Sequence, residues 1–214
     1  MKQKIFDITP TVSPALCVWP GDTPCSREVL CEITKGATVT LSTLRATVHL
    51  GAHADGPNHY DARGRDIASQ DLSHYLGPCV VWDVDVRRGA RVGVGDVAGG
   101  PRAIDNLGAP RVLFKTGTFP DARNWNSDFA GLSVALIDAL AERGVRTIGI
   151  DTPSVDLQDS KDLPAHAAMF RHDIAILEGL ALAHVPAGDY ELIALPLKLE
   201  GFDASPVRAV LRSV

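Results

Sequence analysis

Glycines at 51 and 56 and a proline at 57 exclude a continuous helix across His49–His59, the segment His-Leu-Gly-Ala-His-Ala-Asp-Gly-Pro-Asn-His. The chain is expected to run extended here, and in a strand successive side chains alternate between faces. His49, Gly51, His53 and Asp55 then share one face, while Leu50, Ala52 and Ala54 take the other, which suits burial. Three of the seven histidines stand within these eleven residues. Two imidazoles and a carboxylate on one face supply donor atoms for a metal ion. His59, beyond the Gly-Pro turn, is placed to reach back over that face. On residue types and spacing alone, a coincidental polar strand is the alternative.

One strand rarely completes a metal shell, and a later segment offers partners. His166 and Glu178 are polar residues among apolar ones. Glu178 follows Ile174-Ala-Ile-Leu177 and precedes Gly179-Leu180, so burial is expected. A buried carboxylate needs a partner, which is either a metal ion or a salt-bridging cation. His172, between Arg171 and Asp173, reads as part of an exposed turn, and His74 and His184 as surface or locally hydrogen-bonded side chains.

The remaining features narrow the class. At 214 residues the chain suits one domain, residues 1–214, with one sizeable core. A formal charge of -5 and scattered Lys and Arg give no reason to expect nucleic-acid binding. No run of about 18 apolar residues exists, so no membrane span is expected. Met1–Pro10 lacks the apolar core of a signal peptide. Cys17, Cys25, Cys31 and Cys79 form no Cys-x-x-Cys pair, which suits reduced thiols in the cytoplasm.

β-branched runs predict strands at Ala37–His49, Cys79–Val86, Arg111–Thr116, Thr147–Ile150 and Tyr190–Leu199, the last with Pro196 marking an edge or an end. Helices are expected at Ser133–Arg143, capped by Ser133 and stopped by Gly144, and at Pro164–Phe170, with a short one at Asp71–Leu76. Gly89–Gly108 reads as loops with a partly polar helix, and Trp82 as a core residue. Strands interleave with helices, so the fold class is mixed α/β.

The segment His49–His59 fits the pattern His-x-Gly-(Thr/Ala)-His-x-Asp-x-Pro-x-His at every fixed position, and Glu178 follows His166 by twelve residues. In these motifs the chain resembles the cyclase-like metal-dependent hydrolases, most closely the bacterial kynurenine formamidases (arylformamidases). Val18-Trp19-Pro20-Gly21-Asp22 and Gly149–Asp156 are similar to further blocks of that family. The resemblance implies a barrel-like mixed sheet with flanking helices, of the swivelling β/β/α type, and a binuclear site with two zinc ions per subunit. His49 and His53 would bind one ion, Asp55 would bridge, His166 would bind the second, and Glu178 would bridge or cap the pair. His59 would carry protons rather than bind metal. The implied reaction is hydrolysis of N-formyl-L-kynurenine to L-kynurenine and formate by a metal-activated water, in tryptophan degradation, by a cytoplasmic homodimer or higher homo-oligomer. Trp19 would stack on the substrate ring, with packing in the core or at a subunit contact as the other reading. Another cyclic amide or acylamine as substrate, or metal binding without turnover, are the competing readings.

Overall fold

Four strands run parallel at the centre of a nine-stranded sheet: Leu76–Asp83, Arg111–Lys115, Thr147–Ile150 and Ala175–Glu178. The computed structural model describes residues 3–214. Gly188–Ile193, Val210–Ser213 and Ile5–Asp7 extend the sheet antiparallel beyond Leu76–Asp83. His53–Asp55 and then Ala204–Pro206 extend it antiparallel beyond Ala175–Glu178. The whole sheet curls into a half-barrel, and the mixed α/β class expected from the sequence holds.

The central strands carry short continuous apolar runs because both of their faces are buried. Val112, Phe114, Ile148, Ile150 and Ile176 face two helices, Val134–Glu142 and Pro164–Arg171. Leu113, Ala175 and Leu177 face the inside of the half-barrel, with Ile8, Leu192 and Leu211. The first of these helices starts where Ser133 Oγ accepts the Leu136 N–H at 3.2 Å, and stops before Gly144, whose φ of 77° is left-handed. Leu136, Ile137 and Leu140 are fully buried on its inner side, each stabilising the fold by roughly 1.5–3 kcal/mol. Arg111, itself buried, donates to the carbonyls of Ser73, His74 and Pro78 and so ties the turn before the first central strand to the sheet.

Several expected elements are shorter than their sequence patterns. The strand predicted over Ala37–His49 is Leu41–Arg45, which pairs only with Ser26–Cys31 in a solvent-exposed hairpin. The extended path predicted across His49–Asp55 is a strand only at His53–Asp55, because Gly51 takes a φ of 58° and bends the chain. Leu50, Ala52 and Ala54 are nonetheless buried as expected. The helix predicted at Asp71–Leu76 is a single 3-10 turn, Leu72–His74, because Leu76 already enters the sheet. The strand predicted over Tyr190–Leu199 ends at Ile193. Trp82 is only half-buried. Among the described residues no helix is long and apolar enough to cross a membrane.

Candidate metal centre

The site forms where the edge of the parallel sheet meets the antiparallel strand His53–Asp55. Register places Glu178 directly opposite His53 and Leu177 opposite Ala54. Residues paired in this way project to the same face. His53 Nε2 therefore lies 3.3 Å from Glu178 Oε2 and 3.5 Å from Asp55 Oδ1. Gly179 lets this edge close. It has a φ of 64°, and a Cβ there would stand 2.1 Å from the Gly51 carbonyl oxygen.

The bend at Gly51 swings His49 over the strand end. Its Nδ1 stands 3.2 Å from Asp55 Oδ1, and its Nε2 is 3.0 Å from Asp203 Oδ2. His166 arrives from the opposite side, on the first turn of the helix Pro164–Arg171. Its Nε2 is 3.6 Å from both Asp55 Oδ2 and Glu178 Oε1. Each of the two carboxylates thus turns one oxygen toward His53 and the other toward His166. Glu178 Oε1 also accepts the Val155 N–H at 2.7 Å, which fixes its rotation.

The donor set fits divalent cations. His53 Nδ1 donates to the Gly51 carbonyl at 2.8 Å; a carbonyl only accepts, so the proton sits on Nδ1 and Nε2 is left as a lone-pair donor. His53 Nε2 and both Asp55 oxygens are buried and, despite their short separations, make no hydrogen bond of acceptable geometry. Orphaned buried polar atoms of this kind call for a partner. His53, Asp55 and Glu178 form one candidate ion-binding group, fully buried, and His49, Asp55 and His59 form another at the mouth, the donor atoms of each group lying within 4.8 Å of one another. Imidazole and carboxylate ligands suit zinc, manganese and related ions.

The electrostatics agree. Burial works against charge on Asp55, yet the facing imidazoles of His166 and His49 hold its carboxyl well below the usual range. Burial also disfavours charge on His166 and His49, but the carboxylates around them outweigh it. Asp156 and Asp55 push His166 up to about 10, and Asp55 and Asp203 push His49 up to about 9. The pocket is built to hold positive charge, supplied by protons or by metal ions.

Two participants have no role in the sequence reading. Asp156 is completely buried. It accepts from His166 Nδ1 at 2.8 Å, from the backbone N–H groups of Ala165 and His166, and from Arg91 at 2.6 Å. It thereby caps the helix N-terminus and turns the His166 ring so that Nε2 faces the cluster. Asp203, just before the strand Ala204–Pro206, approaches both His49 and His59, the latter at 3.4 Å. Asp203 carries no local signal, since it meets its histidines only through the fold, while Asp156 was marked only as the end of the block Gly149–Asp156. Asp151, which also borders the site, accepts from the backbone N–H groups of Thr116 and Gly117 and from the Thr116 hydroxyl, and so organises that loop.

The cluster opens into a cavity of about 720 Å³. Trp19 lines it and is 37% exposed, so it is not a core residue. Its ring meets Trp125 edge-on at 5.4 Å, and Phe119 lies 5.5 Å from Trp125, forming an aromatic wall. Trp125 is held by an N–H···O bond to Gln158 at 2.7 Å. Asp22, Asp151 and His184 also line the cavity; among its described lining residues there is no lysine or arginine. His172 is exposed and paired with Asp138, and His74 Nδ1 donates to the Arg146 carbonyl at 2.8 Å, so both stand apart from the site.

Comparison with known proteins gives a consistent set. A family model named Cyclase and described as "Putative cyclase" matches residues 6–157, a span that includes His49, His53, Asp55, His59 and Asp156. A solved structure described as a potential metal-dependent hydrolase with cyclase activity is 27% identical, with a TM-score of 0.81 over 99% of this chain and 98% of that one. A predicted metal-dependent hydrolase from Bacillus stearothermophilus is 26% identical, with a TM-score of 0.80 over 100% of both chains. An isatin hydrolase bound to the product analogue thioisatinate shares the fold at 21% identity, with a TM-score of 0.83 over 99% of this chain and 92% of that one.

Proposed function

The chain belongs to the Cyclase family, and on that premise we propose that it is a metal-dependent amide hydrolase acting on N-formyl-L-kynurenine, releasing formate and L-kynurenine in tryptophan degradation. The observation that carries this reading is the pair of buried carboxylates, Asp55 and Glu178, each spanning from His53 to His166 at the floor of an aromatic-walled cavity. The reading includes two zinc ions per subunit and a cytoplasmic homodimer or higher homo-oligomer of 1–214 domains.

His49 and His53 would hold one ion, His166 the other, with Asp55 and Glu178 spanning them. A carboxylate has two oxygens and can serve two cations, whereas a neutral imidazole offers one lone pair. When bound, the ions supply charge stabilisation for the developing oxyanion and lower the pKa of a water. Trp19 and Trp125 orient the aryl ring across the cavity mouth. His59, at the mouth and more exposed than the cluster, passes a proton to the departing arylamine, which leaves poorly as an anion.

One observation favours a second reading. The cavity has no lysine or arginine among its described lining residues to meet an amino-acid carboxylate, which suits a neutral cyclic aryl amide such as isatin. Side-by-side hydrolysis assays of N-formylkynurenine and isatin, with and without a chelator and with metal analysis, separate the two. Preferential, chelator-sensitive cleavage of N-formylkynurenine with two metals per chain is expected. Preference for the cyclic amide would transfer the assignment, and full activity without metal would remove the mechanism.

A further inference from the structure

We propose that Asp203 is the positioning residue for His59, and that one of its oxygens joins the ligand shell to the proton carrier. This rests on the hydrolase reading above, in which His59 moves the proton. Asp203 Oδ2 lies 3.0 Å from His49 Nε2 and 3.4 Å from His59 Nδ1. The rings of His49 and His59 are only 4.2 Å apart, centroid to centroid, and inclined at 44°. One carboxylate oxygen therefore receives two imidazoles that stand side by side.

The consequences follow from ring geometry. A carboxylate oxygen accepts, so His49 Nε2, hydrogen-bonded to it, carries its proton, and a proton on His59 Nδ1, 3.4 Å from the same oxygen, would complete a second such bond. For His49 this leaves Nδ1, already facing Asp55 at 3.2 Å, as the donor atom toward a cation. A ligating histidine whose other N–H is held by a carboxylate is the usual supporting arrangement. For His59 it leaves Nε2 free, on the far side of the ring from Asp203, to exchange a proton with a substrate in the cavity that His59 lines. Asp203 itself is held by its backbone, whose carbonyl accepts the Gly56 N–H at 2.7 Å. That bond ties it to the turn carrying His59, Pro57–His59. Asp203 is half-exposed, its side chain 45% accessible, and an amide at this position would fit without repacking a core.

The test uses zinc-loaded full-length protein and the variants Asp203→Asn and Asp203→Glu. Ring ¹⁵N NMR reads the His59 tautomer without any substrate. The expected result is an Nδ1–H tautomer in the wild type that is lost or mixed in Asp203→Asn and recovered at least partly in Asp203→Glu. Turnover should follow, with kcat down about 10–100-fold in the amide variant at little-changed KM. Unaltered His59 ring signals in Asp203→Asn would overturn the assignment. Metal loss with an unaltered His59 ring would also overturn it, since Asp203 would then support only His49. A wild type that hydrolyses neither N-formylkynurenine nor isatin would end the hydrolase reading while the tautomer measurement still decides the role of Asp203.

Discussion

Glu178 stands directly across an antiparallel ladder from His53, with Oε2 3.3 Å from Nε2. The pairing joins the last strand of the parallel core to the strand that carries Asp55. It makes the candidate donor cluster depend on sheet register, because a slip of one residue would turn either side chain to the opposite face.

Gly179→Ala should disturb this junction. The new Cβ would collide with the Gly51 carbonyl, and alanine resists the φ of 64°. The positive φ alone costs about 1–3 kcal/mol. Urea unfolding should show a lower midpoint and metal titration a weaker site; an unchanged midpoint would mean that the edge closes in some other way.

Asp156→Asn should weaken metal binding without touching a ligand. The carboxylate that aims His166 and caps its helix would lose its charge. Loss of such support lowers metal affinity or activity about 10–100-fold. Competition with a chromogenic chelator measures the change, and wild-type affinity would assign Asp156 to the helix cap alone.

The metal-free protein should become less stable in alkali. His49 and His166 are raised to about 9 and about 10 from an ordinary 6.5. A raised folded-state value stabilises fully below the unfolded pKa and ceases to do so as pH climbs through the folded one. The loss should therefore develop between about pH 6.5 and 10. Zinc affinity should change in the opposite sense, rising with pH as ions displace those protons. Calorimetry in buffers of different ionisation heat should detect proton release on zinc binding near neutrality, and no release would contradict the raised values.

His59→Ala should keep its metal and lose about 10²–10⁴-fold in turnover, the usual contribution of a general acid or base. Elemental analysis beside steady-state kinetics decides the matter. Metal loss would make His59 a ligand, in keeping with its membership of the candidate group at the mouth.

Trp19→Ala should raise KM for an aryl substrate roughly 3–10-fold, the worth of one aromatic contact, with metal content unchanged. An unaltered KM would return Trp19 to a packing role, as neighbour of Trp125 and Phe129.

Local structure was legible where local physics decides it. Ser133 and Gly144 marked the ends of a helix because capping and a left-handed stop involve only neighbouring residues. The apolar run Thr147–Ile150 was a strand as read. The exposed hairpin and the bend at Gly51 were not legible, since β-branched residues favour a strand without saying where pairing ends.

By itself, the sequence determined which donors this protein owns. The spacing of His49, His53, Asp55 and His59 and the pair His166 and Glu178 marked the cluster through local pattern and family likeness. Tertiary structure alone decided how they are arranged. The register that sets Glu178 against His53, the turn that brings Asp203 between two imidazoles, and the buried Asp156 behind His166 all join residues distant along the chain. Hydrogen bonds and metal coordination act over about 3 Å, and only the folded sheet brings such residues that close.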